Sequence, residues 1–104
     1  MNKINILYTG RHSEILETVV RLINQNENWK GYGAANNDEA LSLFKGKDFR
    51  VVLLGCGIPE DEETELRKAF TTLNPQCIIV QHYGGGSGLL ANEIHAALNN
   101  NIPV

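Results

Sequence analysis

Apolar residues fall into short β-like runs that alternate with stretches of helical spacing along the whole chain. Ile4 to Thr9 is apolar and rich in β-branched side chains, and Gly10-Arg11-His12 breaks it. Ser13 is a helix-capping residue type, and Ile15, Leu16, Val19, Val20 and Ile23 after it share one helical face. A polar stretch, Asn24 to Asn28, ends that helix. Trp29 to Ala35 reads as a second strand, weakened by two glycines. Asn37 or Asp38 is placed to cap a short helix with Ala40, Leu41 and Phe44 inward and Gly46 at its close. Val51-Val52-Leu53-Leu54 is the strongest strand signal, an unbroken apolar run suited to cover on both faces. After the loop Gly55-Cys56-Gly57-Ile58-Pro59, the acids Glu60, Asp61, Glu62 and Glu63 suit the positive end of a third helix. Its inward stripe is Leu66, Ala69, Phe70 and Leu73, and Asn74-Pro75 ends it. Cys77 to Val80 predicts a fourth, buried strand. Gly84-Gly85-Gly86-Ser87-Gly88 then leads into a last helix that buries Leu90, Ile94, Ala97 and Leu98.

The order βαβαβαβα with short connections predicts the α/β class. The expected architecture is a doubly wound parallel sheet in three layers, α/β/α, joined by right-handed crossovers. Strand order 2-1-3-4 puts the topological switch point between the first and third strands, so a site belongs at their C-terminal ends. Those ends are residues 9–12 and 55–58, with the glycine loop beside them.

A length of 104 residues fits one domain over 1–104. With 42% hydrophobic and 20% charged residues the composition is that of a globular domain. A net charge of −3 argues against a generally basic nucleic-acid binder, because phosphate-backbone affinity rests on dense Lys and Arg. No apolar run approaches the ~18–20 residues of a membrane span, and the first residues lack a signal-peptide core. Two cysteines without an export signal are expected to be reduced thiols in a cytoplasm.

Two stretches carry a resemblance to a known family. One runs from Asn37-Asp38-Glu39-Ala40-Leu41 through Phe49-Arg50-Val51-Val52-Leu53-Leu54-Gly55-Cys56-Gly57-Ile58-Pro59; the other is Ile6-Leu7-Tyr8-Thr9-Gly10-Arg11. Together they resemble the receiver domain of two-component response regulators, a flavodoxin-like fold. The resemblance implies a capped second helix, a third strand, an acceptor loop and its loop proline. It also identifies positions that depart from the pattern. Receivers carry the phospho-acceptor aspartate four residues before the loop proline, where this chain has Gly55. The pair of acids that holds Mg²⁺ after the first strand is matched by Gly10 and Arg11, and the hydroxyl residue ending the fourth strand by His82. The family's fifth-strand lysine has no counterpart, and Leu89 to Leu98 is similar to the family's last helix, which implies loss of one α–β unit. A glycine offers no nucleophile, and a guanidinium repels a cation. The expectation is a pseudo-receiver without phosphoryl chemistry, cofactor or metal.

Other candidate chemistry is sparse. Two readings are open for the glycine tract: a loop replacing the lost unit, or an anion cradle at a helix start. Neither the G-x-G-x-x-G nor the G-K-[ST] fingerprint is met, since Leu89 follows Gly88. Arg11, His12 and His82 are candidates to converge beside that loop as an anion-tolerant cluster, or are ordinary surface and core residues. His95 is expected to be exposed or partly packed, and the two Cys and three His lack zinc spacing. Cys56 lies ahead of a helix start that favours a thiolate, but the acids at 60–63 oppose it. A Cys56–Cys77 disulfide is not expected, because the two flank opposite ends of neighbouring strands. The acidic run is a solvated helix start or a docking patch for a basic partner.

Two functions therefore compete. The first is a non-enzymatic adaptor, standing alone without an output domain, that acts by protein–protein contact. Its partners are signalling proteins, a second copy of the chain among the candidates, and neither nucleic acid nor membrane. Its contact residues are Arg11, His12, Cys56, His82, Gly84, Gly85, Gly86 and Ser87. The second is a domain that binds or converts a small anion or phosphorylated metabolite with the glycine loop, Arg11 and His82.

Overall fold

The computed structural model describes residues 3–55, 57–82 and 87–100, the side chains of 87–89 and 100 excepted. Its elements are β1 (Ile4–Thr9), α1 (Ser13–Asn24), β2 (Trp29–Ala34), α2 (Asn37–Gly46), β3 (Phe49–Leu54), α3 (Glu60–Leu73), β4 (Ile78–Gln81) and α4 (Ser87–Asn100). The strands form one parallel sheet in the order β2-β1-β3-β4, as the alternation predicts.

Side-chain alternation along the strands divides the core in two. Ile6, Tyr8, Val51 and Leu53 face α1 and α4, where they meet Val19, Ile23, Leu90, Ile94 and Ala97. Leu7, Phe49, Val52 and Leu54 face α2 and α3, where they meet Ala40, Phe44, Leu66 and Phe70. The second core is aromatic at its base, with Phe44 stacked on Phe49 and tilted against Phe70 at centroid distances of 5.9 and 4.6 Å. Every β3 residue except Arg50 is fully buried, which is what an unbroken apolar run in the sheet's interior demands.

Several local expectations are corrected. Asn36, not Asn37 or Asp38, caps α2: its Oδ1 accepts the Glu39 N–H at 2.8 Å, while Glu39 Oε1 accepts the Ala35 N–H at 2.9 Å. Ser13 is the first residue inside α1, and the cap position belongs to His12, which makes no side-chain capping bond. The inward stripe of α3 ends at Phe70; Leu73 occupies the last turn and is exposed. Ile15 is likewise exposed on the flank of α1. β4 begins at Ile78 and is only half-buried, because it pairs with β3 along one edge.

The glycines of β2 are a packing requirement. A Cβ at Gly31 would lie 2.9 Å from Ile23 Cβ, and one at Gly33 would lie 2.6 Å from Leu16 Cδ2. The strand gives up side chains so that α1 can rest on it. Gly31→Ala is expected to cost ~1–3 kcal/mol despite alanine's lower backbone entropy. Ile23 is wholly buried and its Cβ cannot swing aside, so urea unfolding should show the loss at Gly31 more strongly than at Gly33.

Candidate functional site at the C-terminal end of the sheet

Hydrogen bonding continues past the last strand residues and aligns the site. The Gly10 N–H donates to Ala34 O at 3.3 Å, Gly55 N–H to Thr9 O at 2.7 Å, and His82 N–H to Leu54 O at 2.8 Å. Gly10, Gly55 and His82 thus stand in register at the ends of β1, β3 and β4, and all three are buried.

The space between the two glycines is filled by Tyr8, which is 1% exposed. A Cβ at Gly10 would lie 3.1 Å from the Tyr8 hydroxyl, and one at Gly55 would overlap that hydroxyl and the adjoining ring carbon. No side chain larger than hydrogen fits at 55 while the phenol stays. The ring meets His82 edge to face at 6.2 Å. His82 is itself buried and hydrogen-bonded through Nδ1 to Glu93 Oε1 on α4.

Arg11 leads away from this cluster. Its guanidinium donates to Ala35 O at 3.2 Å, Asn37 Oδ1 at 2.5 Å and Glu62 Oε1 at 2.8 Å. One cation thereby fastens the end of β1 to the starts of α2 and α3. Below it, Arg67 reaches Glu63 at 3.3 Å and Gln81 Oε1 at 3.4 Å, and Gln81 Nε2 donates to Leu54 O at 3.1 Å. The acidic turn is therefore partly neutralised from within, with Glu60 and Asp61 left exposed. Thr9 Oγ1 is buried with no hydrogen-bond partner among the described residues.

The expected convergence of Arg11 with His82 does not occur. Arg11 bonds to α2 and α3, His82 to α4, and those helices cover opposite faces of the sheet. With three of its five N–H donors bound to internal acceptors, Arg11 is a structural cross-link between β1, α2 and α3. His12 is exposed beside Gly57, whose φ of +85° and position 3.0 Å from Arg11 Cβ both call for glycine. Cys56, Gly84, Gly85 and Gly86 lie outside the described residues, as does the Ser87 side chain. Cys77 sits at the opposite end of the sheet, where burial first and the Asp48 charge second push its thiol up to about 12.

The arrangement does not fit a divalent cation. Gly10 and Gly55 supply no oxygen side chains, Arg11 brings positive charge, and Tyr8 occupies the gap. Among the described residues no three His, Cys, Asp or Glu side chains are grouped to hold a metal ion.

No protein-family model matches the chain, and no curated protein does. Solved structures do. The chain is similar to a CheY-like response regulator receiver domain protein from Methanospirillum hungatei JF-1, with a TM-score of 0.81 over 96% of this chain and 97% of that one, at 17% identity. The chain has the receiver fold. A receiver domain protein from Clostridium thermocellum gives a TM-score of 0.76 over 93% and 95% of the two chains, at 15% identity. The non-phosphorylated HemR receiver domain of Leptospira biflexa gives 0.67 over 98% and 96%, at 17% identity.

Within the receiver fold, Tyr8, Glu62, Arg67 and Glu93 are the site residues that sequence reasoning missed. Tyr8 read as one more apolar strand residue. Its signal was indirect: a large ring near the end of one strand, with glycines just past the ends of that strand and the third.

Two outcomes follow from this geometry. Gly55→Ala should cost ~1–3 kcal/mol through overpacking. Tyr8→Leu should relieve part of that loss, giving a coupling of ~0.5–3 kcal/mol in a four-protein urea cycle. Additivity would show that the two sites do not touch. At Cys77 the native thiol keeps a proton that the thiol of the unfolded chain gives up near 9.0. Stability is then fully present below about 9 and falls as pH rises toward 12. Cys77→Ala should flatten that alkaline slope in unfolding curves.

Proposed function

We propose that the chain is a receiver-fold signalling module that has given up aspartyl-phosphate chemistry and acts by binding partner proteins. The observation that carries this reading is the Tyr8 phenol lodged between Gly10 and Gly55, in the place where an acceptor carboxylate and its metal would have to stand. Aspartyl phosphorylation requires a carboxylate nucleophile and hard oxygen ligands for Mg²⁺, and the residues here supply neither. The module is not an enzyme in this reading. It works in the cytoplasm without nucleic acid or membrane, and a second copy of the chain counts among its candidate partners. Among the described residues no helix is long and apolar enough to cross a membrane.

A partner would meet the C-terminal end of the sheet. His12 and Ile15 are exposed at the start of α1, and Glu60 and Asp61 at the start of α3. Glu60 and Asp61 have no ion pair among the described residues, which suits a partner carrying Lys or Arg opposite them. The reading of an anion site built from Arg11 and His82 is not favoured, since the two diverge.

Incubation with acetyl phosphate, or with beryllofluoride, in the presence of Mg²⁺ tests the chemistry. Intact-mass analysis should find no phosphoryl adduct, and thermal unfolding should show no stabilisation. A stoichiometric adduct that is lost on replacing one Asp or Glu side chain would sink the proposal.

A further inference from the structure

The opposite end of the sheet carries a feature that the C-terminal site does not use. Lys3 precedes β1, Lys30 lies in β2 and Arg50 lies in β3, so cations stand at the starts of three consecutive strands in the order β2-β1-β3. Lys30 pairs with Asn5 on one side of β1, and Phe49 pairs with Asn5 on the other. The register then slips by one, because Ile6 faces Val51, and Arg50 is the extra residue. Such a bulge re-aims its side chain, and Arg50 is exposed where its neighbours on β3 are buried. Two strand spacings, about 10 Å, separate the backbones of Lys30 and Arg50, within reach of a single small ligand.

These side chains line a cleft of ≈ 660 Å³ that also includes Asn5, Tyr32 and Asp48. That is within the ordinary range for ligand pockets, about 300–1,000 Å³. Tyr32 gathers the charge: Lys30 Nζ lies 5.5 Å and Lys47 Nζ 5.2 Å from its ring centroid. The ring is held in turn by an edge-to-face contact with Phe49 at 5.4 Å. Asn5 Nδ2 donates to Asp48 O at 3.1 Å and ties the floor of the cleft together.

The positive charge here is not neutralised locally. Among the described residues the ion pairs are Arg11–Glu62, Arg67–Glu63 and His82–Glu93, and none involves Lys3, Lys30, Lys47 or Arg50. Asp48 is the one carboxylate lining the cleft. Helix dipoles explain Arg21 and Lys45, which lie in the last turns of α1 and α2. They also favour Lys47, the C-cap residue of α2, but do not explain Lys3, Lys30 and Arg50, which lie before or on strands. Like charges gathered around one concavity repel one another unless something offsets them.

We propose that this cleft is a binding site for a small ligand carrying two or more phosphate groups. Lysine ammonium groups act as point charges toward phosphate oxygens and Arg50 as a two-pronged donor, so several cations around one concavity match several phosphates. A protein partner would need a broader surface than this concavity supplies. A long nucleic acid would run against the chain's net charge of −3 and the acids at the starts of α2 and α3. The proposal does not rest on the function argued above, since it concerns residues at the other end of the strands.

Titration of the full chain with inorganic tripolyphosphate and with ATP, at about 0.15 M ionic strength, tests it. Calorimetry should give one saturable site, and amide resonances should move at residues 3–5, 30–32 and 47–50. Lys30→Gln and Arg50→Gln should each weaken binding about tenfold or more. Asp48→Asn should tighten it, while Arg21→Gln and Lys68→Gln should leave it within about twofold. Equal affinity for both probes assigns recognition to the phosphates, and preference for ATP adds a contact of the nucleoside with Tyr32. The proposal is overturned by absence of saturable binding, by equal losses in the two control variants, or by shifts confined to the Gly10–Gly55 end. Tighter binding of a polyglutamate peptide or a single-stranded RNA than of tripolyphosphate also overturns it.

Discussion

The burial of β3 constrains everything else in the molecule. Val51, Val52, Leu53 and Leu54 are each fully removed from solvent, and consecutive strand residues point to opposite faces. Both faces of the sheet must therefore be covered, and helices between parallel strands are the economical cover. α1 and α4 shield Val51 and Leu53; α2 and α3 shield Val52 and Leu54. Right-handed crossovers then place β1 beside β3 with their C-terminal ends together, which is what makes a site there at all.

At that meeting point the space between the strand ends is taken up by packing. Fully burying an aromatic side chain is worth roughly 1.5–3 kcal/mol, and Tyr8 obtains that burial by filling space left by two glycines. Its hydroxyl occupies the position from which any residue at 55 would project. Arg11 at the end of β1 is bound to Asn37 and Glu62, so that β1, α2 and α3 are held by a single guanidinium.

The two ends of the strands have opposite electrostatic character. The C-terminal end carries the helix starts and most of the acids, including Asp38, Glu39 and the first turn of α3. The N-terminal end carries Lys3, Lys30, Lys47 and Arg50 around Tyr32. Helix dipoles favour part of this polarity in any parallel α/β sheet. The strand-borne cations exceed that contribution, and the overall charge conceals them.

The sequence by itself determined the element order, the α/β class and the strand order 2-1-3-4, because hydrophobic period and connection length are local signals. It also carried Gly10, Arg11 and Gly55 at the ends of the first and third strands, since that needs only residue identity and spacing. Only the tertiary structure decided where side chains meet. Asn36 rather than Asn37 caps α2 because Glu39 closes a reciprocal pair with the backbone ahead of it. Gly31 and Gly33, read as weakness in a strand, are the clearance that α1 requires. Arg11 and His82 part to opposite faces because the residues that bond them belong to helices on opposite faces, a matter of three-dimensional partners. Tyr8 fills the space between Gly10 and Gly55, and Arg50 turns outward at a bulge, for the same reason: both depend on what a neighbouring strand presents across the ladder, and that neighbour is distant in sequence.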